Sequence, residues 1–171
     1  MYIELMRVFV DQGMGMLSAV CLTFALSAAG CKARQDPAEY NNKVITIANG
    51  FDADMTALNS AMQAGDYSKA EAARKKWDQK LAAGVKQIEA MGAFNGDSSF
   101  KNASLASLKL FQEVATKDYP ALIKEREGLQ SGKITDRAKE RALLNAINDK
   151  LEKASVGLNA ASDAFEKSVS Q

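Results

Sequence analysis

Histidine is absent from the 171 residues of the chain. That excludes Ser–His and Cys–His nucleophile pairs, a histidine general base, and any histidine-ligated metal or haem. Cysteine is almost absent: Cys21 and Cys31, both near the N-terminus, are the two present. The body of the chain therefore has neither a disulfide framework nor a CxxC site. Proline occurs twice, at Pro37 and Pro120, which favours long helices over a loop-rich fold. An excess of one charge is also missing: 22 basic residues face 21 acidic ones, a net charge of +1. Losing residues 1–30 would remove Arg7, Glu4 and Asp11 and tilt the balance only slightly positive. Nucleic-acid binding needs concentrated positive charge, so no nucleic-acid partner is expected. No GxxxxGK[ST] or GxGxxG phosphate loop occurs, and no stretch alternates as a strand would. What is present is ordinary for one globular domain: 47% hydrophobic and 25% charged residues.

The N-terminal segment differs from the rest. No charge falls between Gln12 and Gly30, and Met16 to Leu26 is its apolar centre. That run fits the roughly 7–15 residues of a signal-peptide core. Small residues follow, Ser27-Ala28-Ala29-Gly30, and then Cys31. Cleavage is expected between Gly30 and Cys31, with Cys31 lipidated. The preceding Met1 to Gly13 holds Arg7 against Glu4 and Asp11, whereas a signal n-region is positive; Met6 is an alternative start. An uncleaved transmembrane anchor is the competing reading, although the run is at the lower edge of the ~20 residues a span needs. The expected organisation is a signal peptide at 1–30, a lipidated cysteine and tether at 31–35, and a helical domain at 36–171.

The helical domain announces itself by start signals and periodicity. Asp36-Pro37-Ala38-Glu39 reads as a capped helix start. Tyr40, Val44, Ile47, Phe51, Met55, Leu58 and Met62 then recur at helical spacing, up to a stop at Gly65-Asp66. Ser68 is the expected cap of a second helix with Ala70, Ala73, Trp77, Leu81, Val85, Ile88 and Met91 inward. Asn95-Gly96 marks the next turn. A third helix is expected from about Ser98 to Glu127, bent or broken by Pro120. Thr135 is the expected cap of a fourth, whose seam of Leu144, Ile147, Leu151, Ala154, Leu158, Ala161 and Phe165 repeats in heptads. The fold class implied is all-α, an antiparallel up-down-up-down four-helix bundle following a cleaved lipoprotein signal peptide.

Candidate binding residues are few. Trp77 suits ligand stacking, but its place on the apolar stripe favours a core anchor. Tyr40 and Tyr119 offer polar tips for a pocket or, more simply, pack with their hydroxyls reaching the surface. Asn41 with Asn42, and Asn145 with Asn148, sit where asparagine fixes register or meets water; ligand contact is the alternative. Met55, Met62 and Met91 read as core rather than as a soft-metal site. The carboxylates, as in Glu125-Arg126-Glu127 and Asp136-Arg137, read as mixed-charge surface, and Arg74-Lys75-Lys76 as a solvated face. A di-iron bundle needs Glu-x-x-His pairs, which this chain cannot form. No cofactor, metal site or catalytic set is expected.

Small residues before Cys31 resemble the lipobox of bacterial lipoprotein precursors. With Asp36-Pro37-Ala38-Glu39-Tyr40-Asn41-Asn42 and the helical body, the chain resembles a group of small bacterial surface lipoproteins of unknown function. The resemblance implies attachment to the cell envelope through acyl chains on Cys31. Lys32 rather than aspartate follows the cysteine, which in such lipoproteins leans toward the outer membrane, on its periplasmic or cell-surface face. The function expected is a non-enzymatic binding or structural module, with an envelope protein as partner. The alternative is a carrier of a small apolar ligand or lipid held between the helices. An enzyme built on Asp, Glu, Lys, Tyr or Ser ranks third. Ligand identity and oligomeric state stay open.

Overall fold

A computed structural model describes residues 35–170. The signal peptide, the Gly30–Cys31 cleavage site and the lipidated cysteine lie outside the described residues. Among the described residues the structure is all-α: α1 Pro37–Asn49, α2 Asp52–Ala64, α3 Tyr67–Ala90, α4 Ser99–Glu113, a π-helical segment Val114–Asp118, α5 Tyr119–Gln130 and α6 Ala138–Val169. No helix among them is long and apolar enough to cross a membrane.

The expected start of α1 is present. Asp36 Oδ1 accepts from the Ala38 and Glu39 amides at 2.7 and 3.1 Å, while Pro37 occupies a first-turn position whose N–H would bond nothing. The single first helix expected up to Gly65 is instead two. Glycine weakens a helix by about 1 kcal/mol relative to alanine, and at Gly50 the amide turns tightly back to the Ile47 carbonyl at 3.3 Å. The elbow this creates drives Phe51 into the core. Gly84 of α3 lies opposite. A Cβ there would stand 2.9 Å from Ile47 Cγ2, so glycine sets how closely α1 approaches α3. The expected stop at Gly65 holds, with φ +70°.

Two expected caps move. Asp66, not Ser68, caps α3 by accepting from the Lys69 amide at 3.0 Å; its carboxylate reaches the N3 amide, which leaves Ser68 inside the first turn. Thr135 stands outside α6, and Asp136 Oδ1 accepts from the Ala138 amide at 2.9 Å instead. The Asn95-Gly96 turn forms as expected. Both residues have positive φ, and Phe94 and Asp97 exchange amide–carbonyl bonds of 2.8 Å across it.

Pro120 gives the third stretch its form. The expectation was one helix bent or broken there. The structure inserts a π-helical turn just before it, where the Tyr119 amide reaches back five residues to the Val114 carbonyl. The next amide in that pattern would be that of Pro120, which has no hydrogen, leaving the Ala115 carbonyl without its donor. Arg74 of α3 fills the place: its Nη1 donates to the Ala115 oxygen at 2.9 Å, with Nε and Nη2 held by Glu71 at 2.7 Å each. Arg74 is therefore buried, contrary to the solvated face expected of Arg74-Lys75-Lys76. The Glu71 carboxylate holds the guanidinium pKa above its ordinary value.

The core is continuous. Trp77, Leu58, Leu81, Ile88, Leu108, Leu122, Ile147 and Leu158 are fully buried. The α6 heptad seam turns inward from Ile147 to Phe165, with Leu144 half-buried at its start. The main packing pairs are α4 with α6, α2 with α3, and α3 with α4, while α1 touches both α3 and α6. Between α2 and α6 there is almost no direct contact, and the opening that results is a cleft closed on its third side by α5.

Candidate functional site

The four candidates from the sequence fall into two separate places. Tyr40 and Asn41 sit together near the C-terminal end of α6. Tyr40 is buried, and its hydroxyl donates to the Gly92 carbonyl at 2.8 Å; burial and the nearby Asp97 charge push its pKa up. Its hydroxyl thus finds a backbone partner rather than the surface. Asn41 Nδ2 donates to Glu166 Oε1 at 3.0 Å, and Ser162 Oγ donates to Asn41 Oδ1 at 3.1 Å. Both amide ends of Asn41 are spent on fixing α1 against α6, the register role weighed from sequence. Asn148 differs, because its Oδ1 is buried with no hydrogen-bond partner among the described residues.

Trp77 and Tyr119 meet mid-molecule. Their rings lie edge to face with centroids 5.9 Å apart, and both are buried as core residues. The Trp77 indole nitrogen is buried without a hydrogen-bond partner among the described residues. Trp77 borders a cavity of about 20 Å³ at the α1–α2 elbow, together with Phe51, Asp52, Met55 and Ser155. The Tyr119 hydroxyl donates to Asn59 Oδ1 at 2.8 Å.

Tyr119 also belongs to the larger cleft between α2, α5 and α6, about 290 Å³ in volume. It shares Asp52 and Met55 with the cavity under Trp77. One wall is apolar, from Leu122, Leu144 and Ile147; the other carries Thr56, Asn59, Ser60 and Gln63 of α2. A largely apolar cleft with a few fixed polar groups is the usual form of a small-molecule site. Burial raises the pKa of the Asp52 carboxyl at one end. Arg126 stands at the other end, and it also borders a third hollow edged by Arg137 and Glu140.

Sequence reasoning missed this arrangement. Asp52, Thr56, Asn59 and Gln63 recur at helical spacing beside the Met55–Leu58–Met62 stripe, a signal that reads equally well as a solvated face. Arg126 and Glu125 were expected on a mixed-charge surface. Instead Glu125 and Glu140 are buried. Arg126 Nε donates to Glu140 Oε1 at 2.8 Å, Arg137 Nη1 to Glu140 Oε2 at 3.0 Å, and Lys139 Nζ lies 3.0 Å from Glu125 Oε2. Each buried carboxylate has a cation, the condition under which burial is tolerated. Met55, Met62 and Met91 are buried core residues. Among the described residues no group of three or more acidic or cysteine side chains is placed to hold a metal ion.

No protein-family model matches the chain, and neither a curated protein nor a solved structure matches it.

Proposed function

We propose that this chain is a non-enzymatic, lipid-anchored module of the bacterial cell envelope that binds its ligand in the α2–α5–α6 cleft. Residues 1–30 are the signal peptide, Cys31 is the acylated N-terminus, and residues 36–171 form an antiparallel up-down-up-down bundle. The short connections between consecutive helical stretches, and the packing of α3 between α2 and α4, support that topology. Cys31, following an uncharged apolar run and four small residues, carries the anchoring half of the reading. Two or more acyl chains give the stable attachment that one chain does not.

The cleft supports the other half and favours a carrier of a small apolar ligand or lipid over a purely structural role. Docking of an envelope protein is the runner-up. Absence of histidine and of cysteine beyond Cys31 leaves a non-enzymatic role as the simplest reading of the body. Cys31→Ser tests the anchor. The variant is expected to accumulate as an unprocessed precursor that incorporates no labelled fatty acid. Maturation and labelling equal to wild type would end the lipoprotein reading.

A further inference from the structure

The geometry points to the α2–α5–α6 cleft as a site for a single-chain amphiphile with an anionic head, an alkyl carboxylate or alkyl phosphate, its head at Arg126 and its chain running toward Asp52. This rests on the binding-module reading above and names the ligand class for it. The cleft is a trough rather than a round pocket. Through Met55 it joins the cavity under Trp77, and through Met62 and Arg126 it joins the open hollow of about 490 Å³. It follows α2, whose thirteen residues span about 20 Å at the helical rise. An elongated chain fits this shape better than a compact ring system does.

The head is assigned by charge. At the Arg126 end two guanidinium groups, Arg126 and Arg137, share the single carboxylate of Glu140, which leaves one positive charge uncompensated within the group. Arginine is the side chain best suited to carboxylate and phosphate oxygens. A cationic head would meet that excess charge directly, and a neutral head would leave it unused. Along the rest of the trough the α2 wall is neutral, offering hydroxyl and amide groups from Thr56, Asn59, Ser60 and Gln63. The acid at the far end, Asp52, lies where the tail would terminate, so the anionic head does not approach it.

Calorimetric titration of the full chain in nanodiscs, against empty nanodiscs, tests this with four probes of equal chain length: dodecanoate, dodecyl phosphate, dodecanol and dodecyltrimethylammonium. Dodecanoate or dodecyl phosphate is expected to bind saturably, about tenfold or more tighter than the neutral and cationic probes. The tighter of the two anions distinguishes a free fatty acid from a lysophospholipid-type head. Arg126→Gln leaves Glu140 its Arg137 partner and is expected to weaken the anions about tenfold while sparing dodecanol. Thr56→Phe, at an exposed position on the cleft wall, is expected to block every probe with helicity unchanged. Equal binding of dodecanol and dodecanoate, or anion binding indifferent to Arg126→Gln, would overturn the anionic head while the cleft stands. Binding of none of the probes, or binding untouched by Thr56→Phe, would overturn the cleft itself.

Discussion

The two ends of α6 bury their residues in opposite ways. Near its C-terminus, Phe165 packs on Phe100, Phe94 and Tyr40 with ring centroids 4.7, 4.9 and 5.7 Å away. About 38 Å back along the helix, at the 1.5 Å rise, Glu140 is buried between Arg126 and Arg137. The aromatic end is held by buried area, which acts without direction, and by ring–ring geometry. The charged end is held conditionally. Its carboxylates have left water, and the attraction of their partners offsets a desolvation cost of similar size. Burial alone therefore does not say how much an end contributes; what matters is what remains when one member is removed.

The largest effect is expected at the aromatic end. Phe165→Ala removes a ring that three others touch and is expected to cost about 3–5 kcal/mol in denaturant unfolding. A loss below about 1 kcal/mol would mean that the site collapses to fill the space, and the aromatic end would then be no firmer than the charged one.

Next comes Glu140. Its removal by Glu140→Ala leaves Arg126 mostly buried and unpaired. We expect a loss of about 2 kcal/mol, below the ~3–5 of a fully buried pair because Arg137 and part of Arg126 still meet solvent. The double change Glu140→Leu with Arg126→Met sharpens the comparison, since it removes the charges together. It is expected to be near neutral by the same unfolding measurement. A double variant as unstable as Glu140→Ala would show that the ion pair contributes net stability, making the two ends alike.

The smallest effect is expected between the ends, at Asp52, which has burial without a counter-charge. Burial raises its pKa in the folded protein, so the folded state binds this proton more readily than the unfolded chain does. Ionised Asp52 thus weakens the fold above its folded pKa, and the penalty fades as pH falls through that pKa and is gone below the ordinary carboxylate range. Asp52→Asn is expected to raise Tm slightly at neutral pH and not at pH 3. Glu71 has the opposite sign. Its hydrogen bond to Arg74 lowers its pKa, so its contribution is present above the unfolded value and disappears as pH falls through the folded one. A gain from Asp52→Asn that persisted in acid would assign the effect to packing rather than charge.

The contrast also explains what the sequence could tell. The aromatic end and the α6 seam were legible because apolar residues at three- and four-residue spacing have one economical destination. Asp36, Gly65 and Asn95-Gly96 were legible because local chemistry sets each of them. Arg74, Glu125 and Glu140 were not, since each also needs a partner from another element: the Ala115 carbonyl for Arg74, Lys139 for Glu125 and Arg126 for Glu140. The elbow at Gly50 has no signature in the apolar spacing, which continues through Phe51 although the helix does not. Of the site, Tyr119 and Trp77 are legible as aromatics on helical stripes, whereas Arg126, Asn59 and Asp52 line the cleft because α2 and α6 stand apart, which no local pattern encodes.

The π-helical segment before Pro120 has a consequence for how this sequence can change over generations. A π turn holds one more residue than an α turn between bonded groups. The extra residue is taken up within that turn, so the helix on its two sides keeps nearly the phase it would have without it. Deleting one residue from 114–118 would therefore restore an α-helical path with Leu122 and Arg126 close to their present faces, the cost falling on Pro120, whose ring would meet the carbonyl of the preceding turn. A deletion within α5 has no such slack and would turn everything after it by about 100° around the axis. Descendants of this chain should therefore accept the loss of one residue at 114–118 more readily than at 121–129.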